Sequence, residues 1–215
     1  MFAKRQKQFI PNVMLTIILV GGLWNGAVVK ASAAAIPDVH ISTPSSEVLT
    51  YSSQPNGAAG MDTYIFSNSA TTNFGADVAI GIGENNNATS RISRGLIKFD
   101  LSSIPSNATI VSATLSLWTA SDLSDNDRTL KVYRLKVPFN ETQATWNAAS
   151  TGVNWQVSGA SGTNDRESVE IGSVQILANE TLGTQKQISL SPAKIQSLSM
   201  EALQTTASFS WWTRS

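Results

Sequence analysis

The residues in this sequence best suited to recognition chemistry are cations and indoles carried on short strand-forming runs. In RGLIKFDL (94–101), Arg94 and Lys98 stand four residues apart. On an extended strand that spacing is about 13 Å along one face, while Ile97 and Phe99 point to the other. Two cations so placed match carboxylates repeating along an extended uronate chain. The Arg fork binds carboxylate bidentately, and Lys supplies a point charge. Around TLKVYRLKV, Arg128, Lys131, Arg134 and Lys136 form a second basic group. If the two strands share a sheet, the groups make one patch. The plainer reading is solvated charge, some of it paired with Asp100, Asp122 or Asp127. Trp118 is expected to face outward and offers a flat indole on which a sugar ring stacks. Trp146 and Trp155, in ATWNAASTGVNW, are expected to fold back and plug the end of the fold.

The same inventory argues against catalysis. His40 is the only histidine and there are 0 Cys, so no His-based triad, His-rich metal site or thiol nucleophile can be assembled. Asp122, Asp125 and Asp127 lie in SDLSDNDR. An EF-hand register from Asp125 puts Leu130 where Gly is needed and Lys136 where Glu is needed, which leaves only a looser Ca²⁺ site open. No pattern points to a paired-carboxylate glycosidase or lyase. GIGENN lacks the βαβ setting of a dinucleotide fingerprint. The reading is a non-enzyme.

These side chains need a rigid scaffold, and the runs that carry them are short, β-branched and bounded by turn residues. DTYIF, DVAIGIG, RGLIKFDL, TIVSATLSLWT and TLKVYRLKV follow one another with no long helical pattern between them. That predicts an all-β, antiparallel sandwich. Alternation puts Val111, Ala113, Leu115 and Leu117 on the core side and Ser112, Thr114, Ser116 and Trp118 outside. TLKVYRLKV alternates poorly, which predicts a bulge. SPAKIQSLSMEAL opens with Ser191 and Pro192, a helix start.

Ahead of the strands, Lys4, Arg5 and Lys7 precede the apolar run VMLTIILVGGLW and then the small residues Ala31 and Ala33. This is the order of a secretory signal ending near Ala33. Residues 34–60 read as a Ser/Pro/Gly linker. About 180 remaining residues bury a core without disulfides. With a formal net charge of +0, no whole-molecule field draws nucleic acid or membrane, so a charged partner must be met locally. Four N-x-S/T tripeptides, at Asn87, Asn107, Asn140 and Asn179, mark surface.

DTYI, TNFG, RGLIKFDLSSIPSNATIVSATLSLW, VYRL and ATWNAASTGVNW, in that order, resemble the landmarks of the DNRLRE domain, also described as carbohydrate-binding module family 96. The likeness spans roughly 62–198. It implies a jelly-roll-like β-sandwich in secreted or surface proteins, often beside catalytic or adhesive domains, with some members binding acidic polysaccharides such as alginate. The expected function is therefore a secreted, non-catalytic module for an acidic polysaccharide. A structural or adhesive surface domain, or an accessory fragment of a polysaccharide-degrading enzyme, is the alternative. The chain departs from the family at its end, SLSMEALQTTASFSWWTRS, where members carry a strand of N-x-G-F-L-L type. Read one codon phase away, Met200–Glu201 gives Gly, Gln204–Thr205 gives Asn or Asp, and Trp211–Trp212 gives Val. The expectation is a frameshift near Met200 that costs the product its last core strand and leaves an unpaired edge.

Overall fold

The computed structural model describes residues 7–21, 47–55, 60–84, 91–105, 107–121, 127–178, 180–201 and 207–214. In chain order its strands are β1 (Lys7–Gly21), β2 (Glu47–Ser53), β3 (Met61–Phe66), β4 (Ile80–Glu84), β5 (Ile92–Phe99), β6 (Thr109–Ser121) and β7 (Arg128–Arg134). There follow β8 (Ala148–Ser150), β9 (Val153–Asn154), β10 (Gly172–Ile176), β11 (Gln185–Leu190), helix α1 (Pro192–Glu201) and β12 (Ala207–Arg214). All strand pairs are antiparallel, as the alternating, turn-punctuated runs predict. The first sheet runs β2–β1–β6–β11 and the second runs β3–β5–β12–β7–β10. β4 pairs with both β1 and β5 and joins the two layers at one edge.

Between the sheets lies the main core. Ala113, Leu115 and Leu117 of β6 and Ile188 and Leu190 of β11 meet Ile97 and Phe99 of β5 and Leu130 and Val132 of β7. Burial of each large side chain contributes about 2 kcal/mol, which suffices for an all-β domain without disulfides. On the far edge Gly172 allows the layers to close, because a Cβ there would lie 2.6 Å from the Ser189 carbonyl oxygen. The helix starts where the sequence places it: the Lys194 and Ile195 amides donate to the Ser191 carbonyl. It runs ten residues, long enough to add Ile195 and Leu198 to the core.

Two details of the pleat differ from expectation. Leu19 pairs with Ile110 and Ile18 with Ser112, so Val111 is a bulge residue. The bulge moves Val111 out, to 48% exposure, and Ile110 into the core. The bulge predicted in TLKVYRLKV is absent: β7 keeps one unbroken register with both β10 and β12. Its irregular hydrophobicity has another cause. Leu130 and Val132 face the main core, while Leu135 faces a second one, so both faces of this strand are covered.

That second core is the main organisational feature the strand pattern does not reveal. Residues 136–165 fold back over the outer face of the second sheet. Phe139, Ala144, Ala149, Trp155 and Ala160 pack there on Ile65, Leu96 and Leu135. Asp165, 1% exposed, fastens this roof: its carboxylate accepts the Gln156, Val157 and Gly162 amides at 2.7, 3.0 and 2.8 Å. The TNFG loop fastens its other side. Asn73 Nδ2 donates to the Glu141 and Ala144 carbonyls at 2.7 and 2.8 Å.

Strands also form where the sequence predicts none: β8 to β11 are not anticipated by its pattern, and three segments read as something else, or as lacking a strand, carry one too. The apolar run read as an export signal forms β1 beside β6, with Leu15 fully buried. Glu47–Ser53, inside the expected linker, is β2, and its Tyr51 hydroxyl donates to the Asp100 carbonyl at 2.5 Å. In the tail, Ala207–Arg214 pairs with β5 and β7, so the slot expected to stand open holds a strand. Among the described residues, no helix is long and apolar enough to cross a membrane.

Candidate functional site

The pleat of β5 turns as expected, with Ile97 and Phe99 inward, but the opposite face is not an open basic stripe. Leu96, midway between the two cations, is fully buried under the roof. Arg94 is 6% exposed: its Nη1 donates to the Gly159 carbonyl, and its guanidinium lies 4.9 Å from the Trp146 ring centroid. Gly159 is required there. It has φ +83°, and a Cβ would fall 2.6 Å from Arg94 Nη1 and 2.5 Å from the Trp146 ring. Arg94 is thus a strut between sheet and roof rather than a solvent-facing cation, and the expectation for it is corrected. Lys98, beyond the roofed centre, is half-buried and keeps partial access to solvent.

The second basic group divides by strand parity. Lys131 shares its face with Tyr133 and Leu135, the outer one; Arg128 and Arg134 have the parity of Leu130 and Val132 and do not. Arg134 is held by Glu167 at 3.3 Å, and Glu167 also takes Lys194 at 3.0 Å. Burial resists ionisation of Glu167, yet the hydrogen bond and charge of Lys194 and the charge of Arg134 hold its carboxyl below the ordinary range. Arg128 donates to the neighbouring Asp127 carbonyl at 3.4 Å. Lys131 pairs with Glu170 at 2.8 Å with both side chains partly exposed, so solvent screens the pair.

What the sheet does bring onto one face is Lys98 and Lys131. Each neighbours β12, at Ser208 and Trp212 respectively. Two strand spacings across and four residues along set them roughly 16 Å apart. Arg166, which no sequence pattern singles out, adds a third cation on this side: its guanidinium lies 4.0 Å over the ring of Tyr133, a residue of the Lys131 face. Lys136 is exposed, with Nζ donating to the Thr163 carbonyl at 2.9 Å. Trp118 does not join them. It is half-buried on β6, in the opposite sheet, next to Gln185 of β11. Trp155 folds back as expected, 5% exposed with Nε1 donating to Thr145. Together with Trp146 it covers a sheet face rather than the end of the sandwich.

For the acids, Asp127 accepts Gln175 Nε2 at 3.2 Å and the Ala178 amide at 2.8 Å; Asp122 and Asp125 lie outside the described residues, as do His40, Asn87 and Asn179. No group of three His, Cys, Asp or Glu that could hold a metal occurs among the described residues. The close acid pair is Asp62 with Glu141. Burial, the Glu141 charge and a hydrogen bond between the two side chains raise Asp62 to about 6. The Tyr64 phenol is likewise raised, by burial and its hydrogen bond to Asp77, and its ring stacks on Phe74 at 4.4 Å. Together these side chains link strand β3 to the TNFG loop and the roof.

These landmarks, a roofed sandwich tied by the TNFG and Trp-Asn loops, fall where a known family model matches. The model for carbohydrate-binding module family 96 covers residues 53–193. The chain belongs to carbohydrate-binding module family 96. Residues 62–65, 72–75 and 94–118, which carry the resemblance, lie within that match. No curated protein matches the chain. A family 96 module is a carbohydrate-binding domain.

Proposed function

We propose that this family 96 module is secreted, non-catalytic and specific for an acidic polysaccharide, a uronate polymer by its charge pattern. The observation that carries the reading is the outer side of the second sheet. Lys98, Lys131 and Arg166 belong to it, with Lys136 exposed nearby, and Glu170 is the acid paired with Lys131. Partly exposed cations a strand or more apart suit carboxylates repeating along a chain and leave each ammonium or guanidinium some desolvation-free reach. Export is supported by the order of basic residues, apolar run and small residues in the first 33 positions. Removal of that segment would take β1 with it.

The competing reading is a structural or adhesive surface domain with no sugar site. It is favoured by the engagement of Arg94 under the roof and of Arg134 by Glu167. Affinity electrophoresis against alginate and pectin at two ionic strengths separates the two. A charge-driven site retards the protein at low salt and loses most of that retardation near 0.5 M, where screening acts within about 4–5 Å. Lys98→Ala with Lys131→Ala should abolish the retardation without lowering the melting temperature. Absence of retardation on every acidic glycan favours the structural reading.

A further inference from the structure

The outer face of the first sheet is chemically unlike the rest of the molecule. Main-core residues Leu115, Leu117, Ile188 and Leu190 fix which way β6 and β11 turn, so the alternate residues face out. On β6 these are Ser112, Thr114, Ser116 and Trp118, of which Ser116 is buried at 2% exposure and the other three are half-buried; on β11 they are Gln185, Gln187 and Ser189, all exposed. The register sets Gln185 beside Trp118, Gln187 beside Ser116 and Ser189 beside Thr114. None of the seven is charged. The one charged residue of the two strands, Lys186, has inward parity and is held by Glu180 at 2.8 Å, with side-chain exposures of 14% and 7%.

Exposed strands near a sheet edge ordinarily carry charges, which keep other chains from pairing with them. Here the edge strand β11 instead presents exposed amides and a hydroxyl, and the adjacent strand presents an indole. From Trp118 to Ser112 the face spans about 20 Å, interrupted on β6 by the buried Ser116 and continued on β11 by the exposed Gln185, Gln187 and Ser189. An indole face stacks on the apolar face of a sugar ring, and Gln, Ser and Thr both donate to and accept from sugar hydroxyls. With no charge to match, the complement is an uncharged polymer.

We propose that this face is a second glycan site, for a neutral extended polysaccharide, with Trp118 as the stacking platform and Gln185 and Gln187 as hydrogen-bonding partners. The inference rests on the carbohydrate-binding reading and adds a ligand class distinct from the acidic polymer assigned to the opposite sheet. One module then bridges two kinds of polysaccharide.

The test is affinity electrophoresis of the full chain against neutral β-glucan, xylan and mannan, run beside alginate. The parent should be retarded by at least one neutral glycan, equally at low and high salt. Trp118→Ala should weaken that retardation at least about tenfold while alginate retardation persists. Gln185→Ala with Gln187→Ala, at exposed edge positions where folding is not at stake, should weaken it as well. Lys98→Ala with Lys131→Ala should leave it unchanged. Neutral-glycan retardation that survives both the Trp118 and the Gln substitutions overturns the proposal. So does retardation by alginate with none by a neutral glycan. Retardation by no glycan of either kind overturns the carbohydrate-binding reading itself.

Discussion

Asp165→Ala should be the most damaging single polar substitution in the roof. The carboxylate is buried and accepts three backbone amides, those of Gln156, Val157 and Gly162, while the Asp165 carbonyl accepts the Lys136 amide across the base of the segment. A hydrogen bond to a charged group contributes about 1.5–3 kcal/mol, and the three are not additive. Losing them together and stranding three donors should cost roughly 3–5 kcal/mol. For a domain of this size that is a fall in Tm of roughly 8–16 °C. Asp165→Asn retains one acceptor oxygen and should cost about half as much. Urea unfolding followed by Trp fluorescence measures the loss, and hydrogen exchange at the three amides localises it. Because Arg94 ties the same segment through Gly159 and Trp146, Arg94→Ala combined with Asp165→Ala should cost less than the sum of the two. A loss within about 1 kcal/mol for Asp165→Ala, or unchanged exchange at those amides, would refute the claim that this carboxylate fastens the roof.

Three further substitutions test other contacts. Asp62 is raised from 3.8 to about 6, so the folded state keeps a proton that the unfolded chain has lost; this stability is full below 3.8 and disappears as pH rises through 6. Asp62→Asn should therefore flatten the decline in Tm between pH 5 and 7.5 and stabilise at pH 7.5 by on the order of 1 kcal/mol, a figure discounted for partial solvent access. Glu167 acts with the opposite sign. Its lowered carboxyl stabilises above the ordinary 4.5 and loses that stabilisation on acidification, which is why the window begins at pH 5. A parent and variant with parallel pH profiles would contradict the Asp62 assignment. In the TNFG loop, Gly75→Ala would set a Cβ 2.2 Å from the Glu141 carbonyl oxygen, and backbone must move. It should cost about 1–3 kcal/mol or more in chemical denaturation. Gly183→Ala, where φ is +79° but nothing lies within 4 Å, should cost only about 1 kcal/mol.

Local sequence fixed what local chemistry controls. Alternation in RGLIKFDL put Ile97 and Phe99 inside, Ser191 and Pro192 opened a helix, and strand runs a turn apart gave an antiparallel sandwich of the right family. The site was less legible, for a physical reason. A period-2 pattern says which residues share a face of one strand, not what covers that face or which sheet the strand joins. The parity that separates Lys131 from Arg128 and Arg134 is local, but the buried guanidinium of Arg94 and the placement of Trp118 on the other sheet depend on pairings distant in sequence. The apolar run at Lys7–Gly21 and the tail at Ala207–Arg214 show the same limit, since a strand is made by the unpaired edge it meets as much as by its own residues. Sequence alone determined a disulfide-free β-sandwich of a carbohydrate-binding family. Tertiary structure decided which of its cations and indoles reach solvent, because the roof and the sheet register are set by long-range contacts.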